Sequence, residues 1–183
     1  KEMRNIDTQT DAVGGVSFAQ LMENAGRGIA EIILDLPASL DSEYSILALV
    51  GPGNNGGDAL VTLDLLAAEG WGVVAYLFKR EEEDDPLVTR VKDAGGKIIL
   101  AEEDKDFQKL TILTRENAVF LDGLLGTGIK LPLRENAADL LAAARDALES
   151  VDWEPYIVAI DCPSGVDSDM GNLAPETIPA DIT

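Results

Sequence analysis

Gly51-Pro52-Gly53-Asn54-Asn55-Gly56-Gly57-Asp58 follows an apolar run at 44–50 and opens an apolar-periodic run at 59–68. The order reads as strand, glycine-rich turn, helix. Four glycines in seven residues allow positive φ and leave no Cβ in the way, so amide N–H groups can converge on an anion at the helix N-terminus. The stretch matches neither G-x-x-x-x-G-K-[ST] nor a clean G-x-G-x-x-G. Asn54 and Asn55 set it apart: together they offer two carboxamides, each with an acceptor oxygen and an NH2 donor, where a tight turn alone needs one Asn or Gly. The plainer reading is an ordinary glycine-rich βα turn in which Asp58 favours the helix dipole.

Upstream, a polar segment runs to Val16, and Ser17 with Gln20 forms an S-x-x-Q capping box that starts a helix. Phe18, Leu21, Met22, Ala25, Ile29, Ile32, Ile33 and Leu36 give that helix one apolar stripe, and Pro37 ends it. Downstream, a helix over 57–69 is stopped by Gly70, and a strand follows at 72–78. Lys79 and Arg80 stand at its end, where a dinucleotide-binding fold of the usual kind places an Asp or Glu for the ribose hydroxyls, which opposes a dehydrogenase reading. Five acids at 81–85 read as a solvated loop, and the segment to Ala94 reads as helix broken by Gly95-Gly96. A strand at 97–101 and a mixed charged stretch lead to a strand at 118–122. It ends on Asp122 and runs into Gly123-Leu124-Leu125-Gly126-Thr127-Gly128-Ile129-Lys130. A helix at 136–150 returns the chain to a strand at 156–160, which ends in Asp161-Cys162-Pro163-Ser164-Gly165.

This alternation predicts one α/β domain over 1–183, a Rossmann-like three-layer fold with a mainly parallel central sheet and helices on both faces. The three unusual turns follow strands one, four and five. In a sheet of order 3-2-1-4-5 the order reverses between one and four, and ligands bind at the carboxyl ends there, so the turns converge in one crevice.

Composition narrows the chemistry. The chain has no histidine and one cysteine, Cys162, so neither a histidine-based nucleophile system nor a histidine-ligated zinc site can be built, and no internal disulfide forms. Carboxylates, carboxamides, lysines and backbone remain. The net charge of −20, from 34 acidic against 14 basic residues, repels nucleic acid, and an anionic ligand must be met locally by helix N-termini, a few basic side chains or a bound cation. No signal-peptide pattern stands near the start and no apolar run approaches the ~20 residues of a membrane span, which predicts a soluble, cytoplasmic protein with no membrane partner.

The three turns, with Leu21-Met22-Glu23-Asn24-Ala25-Gly26 in the first helix, resemble in register the signature motifs of the YjeF N-terminal domain family, the NAD(P)H-hydrate epimerases. The resemblance implies an isomerase that interconverts the R and S forms of hydrated NADH and NADPH for nicotinamide nucleotide repair. It implies a homodimer, and coupling to an ADP- or ATP-dependent NAD(P)H-hydrate dehydratase. Substrate contacts are implied at Asn54, Asn55, Gly56, Gly57 and Asp58, at Gly126, Thr127, Gly128, Ile129, Lys130, Leu131 and Pro132, and at Asp161. A potassium ion is implied at Asn55, Asp122 and Ser164, whose oxygens are hard ligands suited to a monovalent cation. The family's pattern continues past Thr183 into a further strand, so a C-terminal strand region is expected to be missing here.

The stereocentre of the hydrate carries a hydroxyl on a carbon bonded to the ring nitrogen, so nitrogen can assist loss of that hydroxyl and re-addition from the other face inverts it; ring opening and reclosure at the same centre make similar demands. A carboxyl must move the proton; Asp161 is the first candidate and Asp58 the second. Taken residue by residue, Asp122 and Asp161 could instead cap neighbouring amides, and Ser164 could make a local turn bond. Cys162 reads as a packed thiol. The alternative function is a non-catalytic interaction scaffold of the same fold, which has no need of these polar groups in one crevice.

Overall fold

In the computed structural model, which describes residues 17–36 and 44–183, strands β1 (Ser45–Val50), β2 (Gly72–Leu77), β3 (Lys97–Leu100), β4 (Val119–Gly123) and β5 (Tyr156–Ala159) form one sheet. Its order is β3-β2-β1-β4-β5 and every pairing is parallel. The strands read as continuous apolar runs because both faces are covered. Ile46, Ala48 and Val50 face one core with Ile33, Leu60, Leu63, Val88 and Val91. Leu47 and Leu49 face the other with Leu110, Leu140, Leu141 and Ala144. Helices α1 (Phe18–Leu34), α2 (Asn54–Ala68) and α3 (Pro86–Asp93) therefore cover one side, and α4 (Gln108–Glu116) and α5 (Glu135–Glu149) the other. Among the described residues no helix is long and apolar enough to cross a membrane.

The expected cap at the first helix is present, since Ser17 Oγ accepts the Gln20 N–H at 3.2 Å. The helix ends at Leu34 with Asp35 as its C-cap; Pro37 and the polar segment to Val16 lie outside the described residues. Gly26 sets the depth at which α1 packs on α2, because a Cβ there would overlap the Val61 side chain.

Three expectations need correction. Helix α2 begins at Asn54, three residues before the expected start at Gly57, with Gly53 as N-cap. The charged stretch before β4 holds the additional helix α4, whose Lys109 and Leu110 amides are capped by the buried Asp104 carboxylate, both at 2.9 Å. The run 81–85 is more than a solvated loop: Asp85 caps α3 by accepting from Leu87 N at 2.8 Å, and Glu82 pairs with Lys92 at 2.6 Å. As the order 3-2-1-4-5 implies, β5 is the edge of the five-stranded sheet among the described residues, and a bridge from Ile182 to Val158 extends it. After Ser164 the chain adds a short antiparallel hairpin, β6 (Val166–Asp167) with β7 (Asn172–Leu173).

Candidate functional site

The turn after β1 is held by close backbone approach. A Cβ at Gly51 would overlap the Leu124 carbonyl and one at Gly56 would overlap the Gly51 carbonyl, so only glycine lets these segments meet. At Gly57 a Cβ would overlap the Met22 thioether. Among the described glycines positive φ occurs only at 70, 95, 165 and 171. The expectation that the turn's glycines supply positive φ and a clear ligand path is thereby corrected: Gly56 and Gly57 are buried, and their missing side chains face the protein interior. What reaches the crevice is the start of α2. The first bond of the helix runs from Gly57 N–H to Gly53 O at 3.3 Å, so the amides of Asn54, Asn55 and Gly56 have no acceptor inside the helix.

The three turns do meet, and Asn55 joins them. Its Nδ2 donates to Leu125 O at 3.1 Å in the β4 turn and to Ile160 O at 2.8 Å after β5, leaving Oδ1 as its free acceptor. Gly126 lies against this carboxamide, where a Cβ would sit 3.0 Å from Oδ1. Asp122 is 1 % exposed. One carboxylate oxygen accepts from Ser164 N at 2.7 Å, and the other from Ser164 Oγ at 2.6 Å and Leu124 N at 3.2 Å. Ser164 Oγ in turn accepts from Leu125 N at 2.9 Å. Burial pushes the Asp122 carboxyl up, opposed by the bonds from Ser164 and Leu124.

Asp122 has no Lys or Arg ion-pair partner among the described residues. Its carboxylate, Ser164 Oγ, the Leu125 carbonyl and Asn55 Oδ1 are oxygen donors gathered in one place, and their chemistry fits a monovalent cation better than a transition metal. No cluster of three or more carboxylate, thiolate or imidazole ligands exists among the described residues.

Asp58 and Asp161 face the same crevice with different surroundings. Burial, and then the charge of Asp161, pushes the Asp58 carboxyl up from 3.8 to about 6. No protein donor among the described residues bonds that carboxylate, whereas Asp161 is exposed. Asp161 lies two residues beyond β5 at φ 69, a left-handed conformation that Asp tolerates better than most residues, and its carbonyl accepts from Thr183 Oγ1 at 3.0 Å. Thr127, Gly128, Lys130 and Pro132 are exposed and Ile129 and Leu131 half-buried on the loop between β4 and α5. Beyond Gly126, none of them bonds to the other two turns among the described residues. The Cys162 thiol is half-buried and pushed up by burial, which leaves it a poor nucleophile.

Sequence reasoning placed Arg80 at the strand end and missed its partners. Its guanidinium reaches back to the glycine turn, donating to Gly51 O at 3.1 Å and Gly53 O at 3.3 Å. A glycine turn followed ~25 residues later by a basic residue at the next strand end was the available signal.

The profile of the YjeF-related protein N-terminus family matches residues 18–183. An NAD(P)H-hydrate epimerase of Roseobacter litoralis is 31 % identical over the whole chain and 85 % of its own length. One from Rhodopirellula baltica is 35 % identical over 89 % of the chain and 63 % of its own length. The bifunctional NAD(P)H-hydrate repair enzyme Nnr of Methanopyrus kandleri is 34 % identical over the whole chain, which spans 35 % of that protein. In fold, the crystal structure of yeast ynu0 superposes with a TM-score of 0.75 at 24 % identity, over 91 % of this chain and 69 % of that one. Motifs, strand order and profile coincide over the same residues, and the chain belongs to the YjeF-related N-terminal family.

Proposed function

We propose that the chain is an NAD(P)H-hydrate epimerase, interconverting the R and S forms of hydrated NADH and NADPH. The observation that carries the reading is the pair Asp58 and Asp161, two carboxyls of unlike environment beside the uncapped amides of α2. A carboxyl whose proton affinity burial has raised can act as acid beside a second, exposed carboxyl acting as base in one site. Asp58, protonated up to about pH 6, gives a proton to the departing hydroxyl, which leaves as water while the ring nitrogen supports the cation. Asp161 takes a proton from the water that adds to the opposite face. The proton then returns from Asp161 to Asp58, and atoms and charge balance over the cycle. The helix amides meet the substrate pyrophosphate, and the loop 126–132 contacts the substrate.

A potassium ion is proposed at Asn55, Asp122 and Ser164. When bound it supplies a fixed positive charge that offsets Asp122 in a strongly acidic protein. The reading also puts the chain in series with an ADP- or ATP-dependent dehydratase, in keeping with relatives named as bifunctional NAD(P)H-hydrate repair enzymes, and in a homodimer, for which the exposed Ile32 and Leu34 of α1 offer apolar surface.

The test is an NMR or chromatographic assay of R-to-S conversion by purified protein. Conversion above the spontaneous rate is expected, reduced by a factor of about 10²–10⁴ in Asp161→Asn, the usual worth of a general acid–base. Replacing potassium by a large organic cation should lower the rate in wild type and change little in Asp122→Asn. No conversion above background in wild type would overturn the reading.

A further inference from the structure

Arg80 has a place that the proposed chemistry does not use. Its side chain is only 13 % exposed, and Nε and Nη2 both meet one oxygen of Asp85 at 2.7 Å. The other oxygen of that carboxylate caps α3 through Leu87 N at 2.8 Å and Val88 N at 3.4 Å. This division leaves Nη1 to bracket the glycine turn, bonding the carbonyls of Gly51 and Gly53.

Both carbonyls matter to the crevice. Gly51 is buried, its N–H is tied to Gly123 O at 3.1 Å, and its carbonyl is packed so closely on Gly56 that no Cβ fits between them. Arg80 supplies the hydrogen bond that this carbonyl needs in a buried position. The Gly53 carbonyl belongs to the peptide whose N–H is that of Asn54. In a trans peptide the two point in opposite directions, so fixing the carbonyl toward Arg80 and the helix aims the Asn54 N–H outward from the helix start.

We infer that Arg80 is a positioning residue: anchored on Asp85, it clamps both ends of the glycine turn and holds the first amides of α2 in their anion-binding arrangement. The identity of the anion rests on the epimerase reading; the clamp itself does not. A lysine cannot replace it, because a single ammonium lacks the planar fork that meets a carboxylate on one side and two carbonyls on the other.

The test combines amide hydrogen exchange over 51–57, thermal stability, and steady-state kinetics with hydrated NADPH for Arg80→Gln, Arg80→Lys and Asp85→Asn. A charged hydrogen bond lost from a binding element corresponds to about tenfold or more, so Arg80→Gln should raise KM by at least ~10-fold with kcat within about threefold. Exchange over 51–57 should quicken beyond that of the sheet, and Arg80→Lys should behave as Arg80→Gln does. Should Arg80→Gln fail to fold, Asp85→Asn keeps the cap on α3 while weakening the anchor, and a smaller shift in the same direction is expected. Unchanged KM with a lowered Tm, or full rescue by lysine, would overturn the clamp. If wild type shows no epimerisation, the functional reading falls separately. The clamp is then decided by exchange over 51–57 alone, upheld by selective quickening in Arg80→Gln and overturned by its absence.

Discussion

Gly56 and Gly57 are adjacent, buried and alike in sequence, yet they have different neighbours. The missing Cβ of Gly56 faces the backbone carbonyl of Gly51, a residue whose N–H donates to Gly123 O and whose carbonyl accepts from Arg80, whereas that of Gly57 faces the flexible end of Met22. Backbone cannot step aside; a thioether can. Gly56→Ala is expected to cost about 1–3 kcal/mol and to impair substrate binding, with Gly57→Ala clearly milder. Equal melting temperatures for the two variants would contradict this contrast. Asp58 makes a second residue-scale prediction. Its carboxyl titrates at about 6 in the fold against 3.8 in the unfolded chain, so between those values folding takes up a proton. The corresponding stability is fully present below pH 3.8 and is lost as pH rises through about 6. Asp58→Asn should therefore raise the Tm at neutral pH and flatten the stability profile between about pH 4 and 6. A profile that keeps its slope there would place the titration on another group.

At the scale of elements, α4 shows how one side chain can define a helix that its sequence does not announce. The helix carries few apolar residues in a charged stretch, and it follows Asp106 and Phe107, both at φ 54. Asp104 satisfies the amides of Lys109 and Leu110 and also accepts from the buried Tyr76 hydroxyl at 3.0 Å, tying the helix start to β2. Asp104→Ala removes all three bonds and strands the Tyr76 hydroxyl. A loss of about 2–3 kcal/mol is expected, with the fastest rise in amide exchange in α4. A uniform rise across the sheet would mean that Asp104 acts on the whole fold rather than on this helix. Helix α3 has a similar origin, since Asp85 caps it and anchors Arg80 with the same carboxylate. The cap of one element and the shape of the neighbouring turn thus share one group.

Across the whole molecule, a net charge of −20 over 183 residues is self-repulsive, and the proposed ligand is also anionic. Screening weakens repulsion between exposed charges over distances of about 10 Å at 0.1 M salt. At fixed potassium, added choline chloride should raise the Tm, with about 1 kcal/mol appearing as roughly 2–4 °C, and should lower KM for hydrated NADPH. A rising KM would show that local amides and cations attract the substrate more than the acidic surface repels it. Among the described residues three α-helices lie on one face of the sheet and two on the other, and the reversal of strand order between β1 and β4 opens the crevice on which the turns converge.

The strand order, the alternation of helices and the meeting of three turns were legible in the sequence, because apolar periodicity and glycine-marked turns are local signals that fix a βα register. Asn55, Asp122 and Ser164 were singled out through the motif resemblance; the structure brings them together around the Leu125 peptide, with Asp122 accepting from the Leu124 and Ser164 amides as in the capping reading. What only the tertiary structure decided are relations between distant segments. That the turn's glycines answer to carbonyl approach rather than to positive φ depends on Leu124 and Gly51 coming within contact. That Asp58 titrates at about 6 depends on burial and on Asp161, a neighbour more than a hundred residues along the chain. Arg80 was visible as a charge in the wrong place for a dehydrogenase, and its work as a clamp was not, because hydrogen-bond partners across a βαβ unit are set by how the strands pair and not by the order of residues.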